Sequence, residues 1–374
     1  MELFDCISKN GDLSNVKGIG FKNNGDIKIN EARELIRNLD DLPFPALDLM
    51  PMEMYFKAAH GERGQRQDCI YNDRWTTIIT SRGCPMNCIF CSVHLTMGRL
   101  YRPRSPENVL SEIERDYNQF GIRHFNLEDD NATWSIERFE RICDMIIEKK
   151  LNITWSAPNG LRADRVTDEL VKKMKLSGCK KVYVASESGS QRVLDEVIDK
   201  KIKLKDVENA VELFAKNGVE VSVFFMMGLP GETKEEIWET INFAKRLRKK
   251  GASGASFSMA TPQYGTRLYK VAVEKGYFDP NTDPTNFALF IANIQTPEFT
   301  REDLELLSAT ARWYVNLSLL QKLTTPLRYP KTLPYYIAYF MTNVGKMMGR
   351  TSPKHRMIEV NVKETPGSRP KAST

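Results

Sequence analysis

The chain has no hydrophobic run long enough to cross a membrane. Its most apolar stretches, "VSVFFMMGL" and "LPYYIAYFM", are each about half the length that a membrane-spanning helix needs. The first residues, "MELFDCISKNGD", contain acids and no apolar core of a signal peptide. The net charge of +6 is mild, and the lysines and arginines form no stripe, which argues against a nucleic-acid partner. We expect a soluble, cytoplasmic protein.

A disulfide framework is also missing. The chain has seven cysteines, an odd number, and four of them are scattered: Cys6, Cys69, Cys143 and Cys179. The other three lie within eight residues of "SRGCPMNCIFCSVHL": Cys84, Cys88 and Cys91. This distribution predicts a reducing compartment and one metal-type cluster.

Three explanations of this C-x3-C-x2-C spacing differ in what the thiols do. Packing of inert cysteines in a core is a poor explanation, because all three lie in one loop that also contains glycine and proline. A zinc site could take His94 as its fourth ligand. A [4Fe–4S] cluster could be held by three thiolates with one iron open to another ligand, and an open metal position is typical of catalysis.

From about residue 75 the sequence alternates between β-type runs and amphipathic helical runs. The predicted strands are 76–80, 124–128, 152–157, 181–186, 219–227 and 254–260. The predicted helices are 105–121, 135–150, 167–177, 190–199, 204–217 and 233–251, followed by 301–323 and 333–348. Strands that alternate with helices indicate repeated right-handed βα units. The periodicity fits either an open doubly wound sheet or part of a barrel.

The alternation of predicted strands and helices also divides the chain into segments. Residues 1–74 read as a lead-in, with a small hairpin at "GIGFKNNGDIKIN" and a linker at "DDLPFPALDLMP" (40–51). Residues 75–280 form the predicted barrel core, 281–350 a helical extension and 351–374 a disordered tail.

The motif "CPMNCIFC", with Phe90 before the last cysteine, resembles the signature of the radical S-adenosylmethionine (SAM) superfamily. Further motifs, among them "NLEDDNAT", "ASESGSQRVL" and "FFMMGLPGET", are similar to its cobalamin-associated branch. The resemblance implies an α/β fold, a partial (β/α)6 TIM-like barrel. It also implies a [4Fe–4S] cluster on Cys84, Cys88 and Cys91 that cleaves SAM to a 5′-deoxyadenosyl radical, which abstracts hydrogen from substrate.

The resemblance also assigns cofactor-binding residues besides Phe90. They are Asp129 and Asp130 for the SAM amino group, Arg162 for its carboxylate, Glu187 and Ser188 for the ribose, and Gly228 for the adenine. Each has a structural alternative. The acids could be solvated or cap a helix, the arginine could form a surface salt bridge, Glu187 and Ser188 could cap a helix, and the glycine could serve a tight turn.

Partners follow from the same resemblance. We expect a flavodoxin- or ferredoxin-type electron donor and a small-molecule or lipid-like substrate. Residues 323–348 could cover the barrel mouth or meet a membrane surface, or simply pack in the core. The lead-in resembles only the tail of the branch's cobalamin domain and is too short to enclose a corrin ring, so we expect no cobalamin on this chain alone. A methyltransferase would then need a cobalamin-binding partner, and a non-catalytic scaffold subunit is a further alternative.

Overall fold

The computed structural model describes residues 2–58, 71–288 and 290–317. The strands in these ranges are β1 (Gly20–Asn23), β2 (Asp26–Ile29), β3 (Trp75–Ile78), β4 (Ser81–Arg82), β5 (Arg102–Pro103), β6 (His124–Leu127), β7 (Thr154–Leu161), β8 (Cys179–Glu187), β9 (Glu220–Met227) and β10 (Gly254–Met259). The helices are α1 (Glu2–Ser8), α2 (Met52–Ala58), α3 (Val93–Thr96), α4 (Pro106–Gln119), α5 (Ile136–Glu148), α6 (Asp168–Leu176), α7 (Leu204–Lys216), α8 (Lys234–Lys249), α9 (Arg267–Glu274) and α10 (Arg301–Asn316). A π-helical turn, Val193–Ile198, follows β8.

Six of the strands form one parallel sheet in the order β10-β9-β8-β7-β6-β3. Apart from the short β4–β5 pair, this order follows the chain, so each helical crossover returns to a neighbouring position. A doubly wound sheet would reverse its strand order at a switch point, and this sheet does not. The arrangement is the predicted partial (β/α)6 barrel, and all six predicted strands are confirmed, with ends that differ by at most four residues.

The core lies between the sheet and its helices. Alternate residues of the central strands face the helices and are fully buried, among them Val182, Val184, Val221, Val223 and Phe225. Hydrophobic stripes on α5, α7 and α8 cover them. Burial of this kind contributes about 25 cal/mol per Å² of apolar surface, which makes it the main stabilising term.

The open edge of β10 is capped by a side chain. The Asn316 amide at the end of α10 accepts a hydrogen bond from the Ala255 N–H (2.9 Å) and donates one to the Ala255 carbonyl (2.7 Å). It thereby replaces part of a missing neighbouring strand, which protects the edge from pairing with another chain. The predicted helix 301–323 is observed as far as Asn316, whereas 333–348 and the predicted tail lie outside the described residues.

The lead-in is more ordered than its sequence suggested. The predicted hairpin is confirmed as β1 and β2, with Asn24 and Gly25 at positive φ in its turn. The segment interpreted as a linker packs on α4, where Asp40 accepts a hydrogen bond from the Ser105 N–H (2.9 Å) and Leu47 is buried. In residues 2–58, 71–288 and 290–317, no helix is long and apolar enough to cross a bilayer.

Candidate active site at the carboxyl edge of the sheet

A short antiparallel ladder closes the loop that carries the three cysteines. Strand β4 begins three residues after β3 and pairs with β5, which leaves residues 83–101 between them. Gly83, at φ +85°, makes the turn out of β4, and a Cβ there would lie 2.2 Å from the Leu100 carbonyl oxygen. Only glycine fits that position, because both its backbone angle and its contact exclude a side chain. Residues 83–101 are called the cysteine loop below.

Two backbone hydrogen bonds also anchor the middle of the cysteine loop. The Ile89 N–H donates to the Ile198 carbonyl at the end of the π-helical turn (3.0 Å), and the Ile89 carbonyl accepts from the Leu268 N–H of α9 (3.0 Å). Phe90 is half-buried against the hydrophobic core. Its ring therefore anchors the loop between the second and third cysteines.

Cys84, Cys88 and Cys91 are free thiols of intermediate exposure. Burial raises the pKa of both Cys88 and Cys91, and the Lys200 ammonium opposes that rise at each. Among the described residues, no three His, Cys, Asp or Glu side chains converge as ligands of a single metal ion. The chemistry of the donor set, three thiols on one loop, fits a [4Fe–4S] cluster, in which three thiolates bind three different irons.

Asp129 and Asp130, which follow β6, accept hydrogen bonds from the residues that lead into the cysteine loop. Asp129 is buried and accepts hydrogen bonds from the Thr80 N–H and hydroxyl (both 2.6 Å) and from the Ser81 hydroxyl (2.5 Å). Burial raises its pKa although these bonds oppose the rise. Asp130 is half-buried and accepts from the Gly83 N–H (2.8 Å). Both carboxyl groups thus lie beside the cysteines, with Asp130 the more accessible.

Arg162 follows β7 and is engaged within the fold. Its guanidinium forms a two-point contact with Asp164, at 2.9 and 3.0 Å. It also donates to the Lys200 carbonyl (3.2 Å) and the Lys201 carbonyl (3.3 Å). In this conformation the guanidinium fixes the turn after the π-helix.

The end of β8 places a buried ion pair next to the cysteine loop. Glu187 has φ +71°, and its Oε1 lies 3.0 Å from the Nζ of Lys200. The Ser188 hydroxyl contacts the Thr240 hydroxyl (3.1 Å) and accepts from the Ser190 N–H (3.1 Å). Ser188 thus satisfies backbone and helix groups, while Glu187 is neutralised by a lysine.

The end of β9 is shaped by a buried carboxyl group. Gly228, at φ +88°, and Leu229 donate their N–H groups to Glu232 Oε2, at 2.8 and 3.2 Å. Burial raises the pKa of Glu232 to about 8. Glu232 therefore stabilises the turn that contains Gly228, whose backbone no side chain covers at this position.

The structure brings the predicted residues to one edge of the sheet, and it adds two that sequence reasoning missed. Glu232 lay within the quoted motif "GLPGET", so its place next to Gly228 could have drawn attention to it. Lys200 had no such signal, because its pairing with Glu187 depends on the tight π-helical turn between them.

The Radical SAM superfamily model matches residues 78–244, which include the cysteine loop and four whole strands of the sheet, β6 to β9. These residues form a radical SAM domain. The family uses a [4Fe–4S] cluster and SAM, in agreement with the donor set of the cysteine loop.

Two relatives extend the similarity beyond the radical SAM domain. An uncharacterized methyltransferase of Pyrococcus horikoshii is 36% identical over 73% of this chain and 55% of its own length. The cytidylyl-2-hydroxyethylphosphonate methyltransferase of Streptomyces wedmorensis is 32% identical over 65% of this chain and 45% of its own length. The chain therefore spans about half the length of these relatives.

A solved structure agrees in fold. The cobalamin-dependent S-adenosylmethionine radical enzyme OxsB, with aqua-cobalamin and S-adenosylmethionine bound, superposes with a TM-score of 0.62 at 17% identity. The match covers 93% of this chain and 58% of that one. At this identity the likeness supports the fold alone.

Proposed function

We propose that the chain binds a [4Fe–4S] cluster through Cys84, Cys88 and Cys91 and cleaves SAM reductively to a 5′-deoxyadenosyl radical. The single observation that carries the proposal is the cysteine loop itself. It presents three free thiols at the carboxyl edge of a parallel sheet, with acids, a cation and glycine turns around them. Ligand sites of βα barrels gather at this edge.

When bound, the cluster would supply one electron to SAM, and the protein would do the rest by position and charge. Asp130 has the accessible carboxylate for a SAM amino group, with Asp129 fixing the backbone next to it. Arg162 and Glu187 could contact SAM only by exchanging their present partners, Asp164 and Lys200. We therefore expect Asp130 to contribute most to SAM affinity among the side chains assigned from sequence.

The substrate would lie on the sheet face opposite the helices. There Tyr183 of β8 stacks on Phe224 of β9, with ring centroids 4.5 Å apart and planes 9° from parallel. Both residues are half-buried, and Gly160 of β7 packs closely against Phe224, since a Cβ there would meet its ring at 3.4 Å. Such a surface suits an apolar or planar small molecule, in line with a secondary-metabolite or lipid-like substrate.

SAM cleavage is tested by adding dithionite and SAM to the anaerobically reconstituted chain and measuring 5′-deoxyadenosine and methionine. We expect both products, and none from Cys88→Ala. A fully loaded cluster that yields neither product would favour the scaffold alternative. Replacing dithionite with reduced flavodoxin or ferredoxin tests the expected electron donor in the same assay.

A second candidate is methyl transfer with cobalamin supplied by a partner. It is favoured by the two relatives named methyltransferases and by the cobalamin-dependent structural neighbour. Purification with hydroxocobalamin followed by a visible spectrum should show no stoichiometric corrinoid on this chain. Stoichiometric corrinoid would contradict the requirement for a partner.

A further inference from the structure

The cysteine loop lies in a stretch of sequence that carries positive charge without acids. Residues 74–106 contain five arginines and no aspartate or glutamate. Arg102 is buried and Arg104 pairs with Glu112, whereas Arg99 is exposed on the loop itself. The loop therefore presents a cation at the protein surface and has no acid of its own to offset it.

Two arginines hold adjacent carbonyl groups of the cysteine loop. The Arg99 guanidinium donates to the Met86 carbonyl (2.9 Å), and the Arg267 guanidinium at the start of α9 donates to the Asn87 carbonyl. Asn87 is exposed and comes directly before Cys88 in sequence. Both guanidinium groups therefore bind backbone within two residues of a proposed cluster ligand.

The turn after the π-helix brings a lysine and an acid to the same place. Asp199 accepts a hydrogen bond from the Asn87 amide (3.0 Å) and lies 3.4 Å from the Arg267 guanidinium. The Lys201 ammonium lies 3.1 Å from the Asp199 carboxylate, and the lysine side chain is 69% exposed. The basic surface, as we call it below, consists of Asn87, Arg99, Asp199, Lys201 and Arg267.

The basic surface has an excess of positive charge. Its three cations face one carboxylate, which leaves two positive charges unmatched among the residues that the structure describes. The charged groups next to it are paired: Lys200 with Glu187 at 3.0 Å, and Arg162 with Asp164 at 2.9 Å. These pairs add no net charge, so the excess lies on exposed side chains that can attract an acidic protein.

We propose that the basic surface is the docking site of the electron donor, a small one-electron carrier protein with an acidic surface. Electron transfer needs a short path, and the exposed Asn87 is one residue from Cys88, with about 3.8 Å between consecutive Cα atoms. Opposite charges steer two proteins together, and redox complexes form through small, transient interfaces. Charge on a compact surface is therefore sufficient to bring the carrier to the loop.

The transfer itself changes only oxidation states. The reduced carrier loses one electron and the [4Fe–4S] cluster gains it, and no bond forms or breaks. The proposal rests on the cluster assigned under the proposed function, but it does not require SAM cleavage.

The first test is a binding measurement on the reconstituted full chain without SAM. Its probes are a fluorescently labelled oxidised flavodoxin and, separately, an acidic ferredoxin, followed by anisotropy. Lys201→Glu should weaken binding of the carrier that docks by about fivefold at low ionic strength, because it reverses one charge of the basic surface. The difference should vanish at about 1 M salt, where the Debye length is about 3 Å. Arg99→Gln, which removes another charge, should weaken binding in the same direction.

The matched control is Lys216→Glu. The Lys216 side chain is 72% exposed, and it lies at the end of α7, just before β9 begins at the opposite edge of the sheet. This variant changes the net charge as much as Lys201→Glu does and should bind the carrier like the wild type. Equal weakening in the two variants would show attraction by net charge alone and would overturn the proposal.

A second test measures how fast the cluster is reduced, by stopped-flow absorbance without SAM. Reduced flavodoxin or ferredoxin should act about fivefold more slowly on Lys201→Glu than on the wild type or Lys216→Glu. Reduced methyl viologen, a small cation, should not be slowed by the same change. Slower reduction by both kinds of reductant would place the effect at the cluster instead of in docking, and would overturn the proposal.

The two tests separate this proposal from the proposed function. Wild-type binding of both carriers by Lys201→Glu and Arg99→Gln at low ionic strength would overturn the docking site, whether or not SAM is cleaved. A chain that loads no iron would overturn the proposed function instead. The binding comparison would still decide the docking site, because it does not depend on electron transfer.

Discussion

Five of the described cysteines fall into two groups that differ in location and in burial. Cys84, Cys88 and Cys91 lie on a loop at the carboxyl edge of the sheet and are half-exposed. Cys143 on α5 and Cys179 at the start of β8 are 1% exposed and packed in the apolar core.

The difference shows that the location of a cysteine, more than its presence, decides its chemistry. Burial raises the pKa of Cys143 to about 12 and that of Cys179 well above its ordinary value. Metal ligation needs the thiolate, which such a site disfavours. Burial also raises the pKa of Cys88 and Cys91, but Lys200 opposes that rise at both.

The largest expected effect comes from removing a loop thiol. Cys84→Ala, Cys88→Ala or Cys91→Ala should each abolish cluster binding, because two thiolates cannot hold the cluster. Iron and sulfide analysis after anaerobic reconstitution measures this. Iron retained at the wild-type level in any of the three would show that the ligands are assigned wrongly.

The next effect concerns the backbone that presents those thiols. Gly83→Ala should strongly reduce cluster loading, because its Cβ would lie 2.2 Å from the Leu100 carbonyl and its φ is +85°. The matched control is Gly276→Ala, at φ +68° with no atom within 4 Å of the added Cβ. The control should cost only the backbone strain, about 1 kcal/mol, and load normally. Equal loading of the two variants would mean that β4 and β5 do not shape the site.

A third effect concerns the buried carboxyl group of Glu232, which burial affects in the same direction as the core thiols. Burial raises the pKa of Glu232 in the folded chain to about 8 from 4.5, so the folded state binds the proton more tightly than the unfolded state. Stability should therefore fall as pH rises between those two values, by at most about 1.4 kcal/mol per pH unit from this group. Denaturant unfolding of wild type and Glu232→Gln, compared across this range, isolates the contribution.

The raised pKa of Glu232 determines which of the two proteins becomes more stable as the pH rises. Glu232→Gln should gain stability relative to wild type as pH rises toward 8, because the amide cannot ionise. A difference between the two proteins that stays constant with pH would show that Glu232 ionises freely in the folded chain.

The smallest effect is expected in the core. Cys143→Ala should lower the free energy of unfolding by about 1 kcal/mol, because a buried sulfur is removed and partly replaced by a cavity. Cluster loading should be unchanged. Loss of iron in this variant would contradict the division into two groups.

Much of the fold could be predicted from sequence because it depends on local patterns. The six sheet strands and the helices between them follow from apolar runs, capping residues and glycine stops such as Gly121. The β4–β5 ladder could not be predicted, since each strand has two residues and pairs across a loop of nineteen. The packing of 38–50 on α4 depends likewise on contacts between distant segments.

The site was predictable in position but not in its internal contacts. The sequence motifs predicted that Asp129, Arg162 and Glu187 lie at the carboxyl edge of the sheet, and the structure has them there. It could not show that Asp129 is fully engaged with Thr80 and Ser81, or that Glu187 pairs with Lys200. Their assigned contacts with SAM stay predictions, and Asp130→Asn compared with Asp129→Asn in SAM-binding measurements would separate a ligand from a support.

The most direct test of the account is the metal content of the anaerobically reconstituted chain, measured together with its visible spectrum. The account predicts about four irons and four sulfides per chain, with iron–sulfur absorbance that is lost in Cys88→Ala and kept in Cys143→Ala. Bound zinc without iron–sulfur absorbance would contradict it.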